Sequence, residues 1–144
     1  MTLKSLLFGG AEISTTAGNL GLLLLRLVAG LSLATAHGLG KLPPSEGFVK
    51  GVGELGFPAP LLFAWAAGLS EALGGSLVAL GLFTRPAAFF MLFTMSTAFF
   101  LRHSLDPFQK KELAMLYGII ALAILLIGAG RYGLDALVRR RKGT

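Results

Sequence analysis

The chain has 144 residues, 54% of them hydrophobic and only 14% charged, with a mean hydropathy of +0.75. A soluble domain carries about 25% charged residues to hold its hydration shell, so a water-soluble fold is excluded and lipid is the expected solvent. There is no cysteine, which excludes disulfides, thiolate chemistry and iron–sulfur ligation by the chain itself. The net charge of +6 does not make a nucleic-acid surface: five of the thirteen basic residues, Arg131, Arg139, Arg140, Arg141 and Lys142, follow the last apolar block, as membrane anchors do.

The first fifteen residues, with Lys4, Leu6, Leu7 and Phe8, fit a short amphipathic piece lying along an interface. A cleavable secretory signal is not expected, because Glu12 interrupts the apolar stretch and no clear small-residue cleavage site follows. A first helix is expected over residues 17–39, apolar except for Arg26. Lys41 to Ala59 is polar and rich in Gly and Pro, and reads as a loop. A second helix is expected over 60–82, apolar except for Glu71; its Gly75 and Ala79 are a small-residue pair that lets helix backbones approach in lipid. Gly81 to Pro86 reads as a tight turn, with Pro86 opening a third helix over 86–101. Arg102 to Glu112 is a polar loop, and 113–130 is an uninterrupted apolar run long enough to span alone. Residues 131–144 form a basic tail. The expected fold is all-α: a single domain over 1–144, an integral membrane four-helix transmembrane bundle. Lys and Arg number seven on the side of the termini and five on the other, which places both termini in the cytoplasm.

A charge near the bilayer centre costs roughly 2.5–3.5 kcal/mol even on lenient scales, so neither Arg26 nor Glu71 should face lipid. Their depths, about 11 Å and 16 Å from one edge at 1.5 Å per residue, allow them to pair. Side chains lean toward the N-terminus of their own helix, which tilts the two apart and leaves room for a bridging water or ligand oxygen. The pair is either functional or a packing device. His37 follows Arg26 by eleven residues, about 1,100°, and so returns to within about 20° of the same face. Lys41 finishes near that stripe, and the ends of the third and fourth helices bring His103 and Glu112 to the same side. The expectation is a ring of His37, Lys41, His103 and Glu112 at the outer mouth, with Arg26 and Glu71 deeper.

Imidazole and carboxylate groups can give and take protons. A pocket lined by Phe99, Phe100, Trp65 and Tyr117 would suit a flat apolar ring with two carbonyl oxygens, which is the character of a quinone. Haem held by His37 and His103 is the weaker cofactor reading, since both lie at helix ends and no other haem signature is present. There is no phosphate-binding loop, no metal-ligand cluster of recognisable spacing and no serine nucleophile motif. A self-contained hydrolase or nucleotide enzyme is therefore not expected.

The spaced set Arg26-Leu-x-x-Gly30, His37-Gly38-x-x-Lys41-Leu42, Glu71-x-x-Gly74-Gly75 and Gly81-Leu-x-Thr84-Arg85 resembles the DoxX family of small bacterial membrane proteins, over about Leu22 to Gly130. The resemblance implies four helices in the bacterial inner membrane and a link to quinone-dependent redox chemistry, often alongside soluble redox partners. The polar positions it carries over are Arg26, His37, Lys41 and Glu71. The leading expectation is a quinone-interacting subunit of an oxidoreductase system: Arg26 and Glu71 bind or protonate the quinone, and His37 and His103 relay protons. A non-catalytic scaffold that anchors a redox partner is the alternative. A small solute or proton pathway is the third reading. The sequence leaves a monomer and a homo-oligomer both open.

Overall fold

The computed structural model describes residues 7–140. Lys4 and Leu6 of the N-terminal amphipathic piece, and Arg141 and Lys142 of the basic tail, lie outside them. Among the described residues the fold is all-α, without strands.

Helix α1, Thr16–Lys41, starts where the Thr15 hydroxyl accepts the Gly18 amide at 3.1 Å. It widens into a π turn over Leu33–Gly38 and tightens to a 3-10 turn over Leu39–Lys41. Helix α2, Glu46–Glu54, occupies the stretch expected to be loop. Ser45 caps it by accepting the Phe48 amide at 3.2 Å. It packs on the first half of α3 and buries Val52, so tertiary packing outweighs the helix-weakening Gly47, Gly51 and Gly53. Helix α3, Pro60–Leu80, has proline in its first turn, a π turn over Ser70–Gly74, and a stop at Gly81 with φ +69°. Helix α4, Thr84–Arg102, ends in a third π turn, Ala98–Arg102. Helix α5, Phe108–Ile127, begins earlier than the apolar run and stops before Gly128, whose φ is +81°. Helix α6, Leu134–Arg140, lies within the expected tail.

By length and composition, α1, α3 and α4 can cross a membrane. Helix α5 is not among those three; Lys110, Lys111 and Glu112 occupy its first turns, and its apolar part starts at Leu113. Helix α4 packs along α5, and α1 along the second half of α3. At that crossing a Cβ on Gly30 would lie 2.5 Å from the Gly75 carbonyl oxygen and 2.8 Å from the Ala79 nitrogen, so the two backbones touch. Leu33, Val78, Met91, Met95 and Ile124 fill the core between these helices.

The two ends of the helix pack differ. At the end nearest the termini, side chains tie backbone to backbone. Asp135 accepts the amides of Phe83 (2.8 Å) and Thr84 (3.0 Å), capping α4 from a different helix. Its own amide donates to Gly81 O at 2.8 Å. Arg85 donates to the last carbonyls of α5, Leu125 and Leu126, both at 2.9 Å. The Asn19 side chain accepts the Arg131 amide at 2.9 Å. The opposite end, where α1 and α4 finish and α3 begins, holds a cavity.

Candidate binding site

Each of the three helices able to cross a membrane, α1, α3 and α4, changes pitch near that cavity. The π turn and 3-10 turn of α1 deliver Lys41, the π turn of α3 carries Ser70 and Glu71, and the π turn of α4 ends at Arg102, with His103 next. A π turn shifts every later side chain around the helix, and such turns frequently mark functional sites.

Lys41 Nζ donates to both oxygens of Glu71, at 2.5 and 2.6 Å. The Glu71 side chain is 2% exposed and that of Lys41 34%, so the carboxylate is buried while the ammonium reaches in from the mouth on its apolar stem. Beside the pair, Thr94 Oγ1 donates to Ser70 Oγ at 3.0 Å. These four residues form a polar belt on a cavity of about 580 Å³ between α2, α3 and α4. Phe63, Ala66, Ala67, Ser70 and Glu71 line it from one face of α3, at the i, i+3, i+4, i+7, i+8 spacing of a helix stripe. Across from them stand Phe89, Phe90 and Phe93 of α4, and α2 closes the near side with Phe48 and Val52.

Arg102 and His103 stand at the mouth. His103 Nδ1 shares a hydrogen bond of 2.7 Å with Asp106 Oδ2. That bond, helped by the charges of Lys110, His103 and Arg102, holds the Asp106 carboxyl below the usual carboxylate range.

The structure does not bring Arg26 to Glu71. Arg26 is fully buried at the other end, where Nη1 donates to the carbonyls of Val78 (3.0 Å) and Ala79 (3.2 Å). Its Nε and Nη2 have no partner among the described residues. The backward lean of helical side chains decides this: α1 and α3 are antiparallel, so Arg26 and Glu71 lean to opposite ends.

The expected ring is also incomplete. His37 is half-buried with its ring edge on Tyr117, 5.9 Å between centroids, and does not line the cavity. The π turn over Leu33–Gly38 breaks the 100° per residue that would have kept it in line with Arg26. Glu112 is exposed on α5 and stands outside as well. The two histidines thus have different surroundings and do not form a facing pair.

The aromatic wall differs from expectation too. Trp65 is exposed, Phe99 and Phe100 stack edge-on against each other, and neither they nor Tyr117 lines the cavity. Sequence reasoning missed Phe48, Phe63, Ser70, Thr94 and Arg102. The spacing of residues 63, 66, 67, 70 and 71 around Glu71 was the available signal for the α3 wall.

The sequence profile of the DoxX family matches residues 21–104, more than half of the chain and all four residues of the polar belt. A Bacillus subtilis protein named "Putative oxidoreductase CatD" is 31% identical over 124 residues, 85% of this chain and 90% of that one. An uncharacterized protein of Haemophilus influenzae is 38% identical over 92 residues, 59% of this chain and 66% of that protein's length. No solved structure matches the chain.

Proposed function

The chain belongs to the DoxX family of membrane proteins, and from that premise we propose that it is a quinone-binding subunit of a redox system in the bacterial inner membrane. The observation that carries this reading is the Lys41–Glu71 pair, set with two hydroxyls in a wall of phenylalanines between two membrane-length helices. Ligand sites are mostly apolar with a few placed polar groups, and this cavity has that composition. The name of the CatD relative supports a redox link. In this reading α5 is the fourth span, with Lys110 and Lys111 at its interface, and the termini lie in the cytoplasm.

A quinone, when bound, accepts two electrons and two protons. The residues present fit such a ring: the faces of Phe63 and Phe93 for its plane, and donors at Lys41 Nζ and at the Ser70 hydroxyl, which Thr94 Oγ1 orients, for its oxygens. Lys41 orients a ring oxygen and stabilises negative charge there. Glu71, out of water and bonded to the Lys41 ammonium, would share with it the proton that a reduced ring oxygen takes up. His103, set by Asp106 at the mouth, exchanges protons with the aqueous side. Arg26 acts from a distance by fixing the end of α3. Electrons arrive from a separate redox protein, soluble or membrane-bound.

Extraction of the purified protein, followed by mass spectrometry, tests the reading. Quinone should co-purify in stoichiometric amount. In lipid nanodiscs, Glu71→Gln should weaken binding of added quinone by at least about tenfold, or about 1.4 kcal/mol. An empty protein whose nanodisc form also binds no added quinone would sink the proposal and favour the scaffold, with Lys41–Glu71 serving packing alone.

A further inference from the structure

We infer that this cavity loads from the bilayer through a lateral opening beside α4, and that its ligand is a tailed, membrane-resident ring, not a tail-less aromatic arriving from water. This rests on the quinone reading above and adds to it the route of entry, the tail, and the direction the tail takes.

Three observations carry it. The first is size. A cavity of about 150 Å³ is enough to hold benzene, and this one measures about 580 Å³, nearly four times as much. A ring at the polar belt leaves most of that space to something else.

The second is the distribution of polarity along the slot. Its lining on α4 runs from Phe89 to Arg102, thirteen residues or about 20 Å at helical rise. The hydroxyl pair Thr94–Ser70 marks the level of the ring. From there toward the mouth α4 presents Thr97, Ala98 and Arg102, with His103 next, while α3 and α2 keep the facing walls apolar with Phe63, Ala66, Ala67, Phe48 and Val52. In the other direction α4 presents only Phe93, Phe90 and Phe89. Along α4 a polar head therefore fits at the level of Thr94, with an apolar chain running past Phe93, Phe90 and Phe89.

The third is exposure. Phe89, Phe90 and Phe93 are 53%, 58% and 52% exposed, although they line a cavity on a helix long enough to cross a membrane. Those ring faces meet acyl chains, so the apolar end of the slot is open to lipid. The aqueous side is narrowed instead: α2 lies across it with Phe48 and Val52, and Lys41 Nζ sits 5.7 Å from the Phe48 ring centre.

The test is photo-labelling in nanodiscs with a benzoquinone whose ten-carbon tail ends in a diazirine. After illumination and digestion, adducts should fall on the α4 segment containing Phe89, Phe90 and Phe93, and should disappear under excess unlabelled tailed quinone. In parallel, Phe90→Ala should raise the Kd of the tailed quinone fivefold or more, while the Kd of the same ring without its tail stays within twofold. Phe90 is exposed enough that its truncation leaves the core intact. Adducts on the α2 segment, or equal weakening of both ligands by Phe90→Ala, would overturn lateral loading while the quinone reading stood. If labelling is insensitive to competitor and neither ligand binds the parent protein, the quinone reading itself fails and takes this inference with it.

Discussion

Glu71 is 1% exposed, and its carboxylate is held by a single ammonium. Removing one partner of a buried ion pair typically costs 3–5 kcal/mol, because the remaining charge is left uncompensated, whereas removing both is often nearly neutral. Lys41→Met should therefore destabilise the protein by about 3 kcal/mol, toward the low end because Lys41 is partly exposed. Lys41→Met combined with Glu71→Gln should recover most of that loss. Thermal unfolding in detergent, measured for the single and double variants, checks both statements; a double variant no more stable than Lys41→Met would remove the pair as the cause. Both charges were visible in the sequence as polar residues at or inside apolar segments, but their pairing was not. Counting helical rise matched Arg26 to Glu71 by depth. What it missed is that a π turn and a tightened last turn carry Lys41 from the edge of α1 down to a carboxylate on α3.

Among the elements, the four long helices were legible because apolar runs bounded by charge and glycine leave few alternatives. The two short ones were not. Three glycines disguised α2 as loop, and α6 sat inside a stretch read as a basic anchor. What stabilises each is tertiary: burial of Val52 for α2, and for α6 the carboxylate of Asp135 at the start of α4. Phe83, whose amide Asp135 holds, has φ +45°, a conformation that side chains other than glycine seldom adopt. Asp135→Ala should therefore cost more than loss of an ordinary cap, about 2 kcal/mol against the usual ~1. The deficit should appear as a lower unfolding temperature and as faster amide exchange at Phe83 and Thr84. Unchanged exchange there would show that the turn is held by other means.

For the whole molecule, the sequence supports membrane insertion and the family plainly, yet it does not say which face of each helix turns inward. Helix α3 begins as Pro60-Leu-Leu-Phe-Ala-Trp-Ala-Ala-Gly-Leu69, apolar around its whole circumference, so pattern alone cannot choose Phe63 over Trp65 as the cavity wall. Packing against α2 and α4 makes that choice. In the proposed four-span arrangement orientation rests on charge instead: seven basic residues on the side of the termini against five on the other. A fluorescent protein fused after Thr144 should therefore fold and emit in the cytoplasm, and an alkaline phosphatase fused there should stay inactive. Active phosphatase would invert the assignment and place Arg102 and His103 on the cytoplasmic side.

The seam of Asp135, Arg85, Arg26 and Asn19 has a mechanical consequence. All of its bonds join backbone at one end of the helices, and the cavity opens at the other. A guest wedged between α3 and α4 thus meets two tines of a tweezer welded at the base. The tips can part while the joint stays shut, so widening for a bulky ligand should leave the turn Gly81 to Thr84 and its Asp135 contacts where they are.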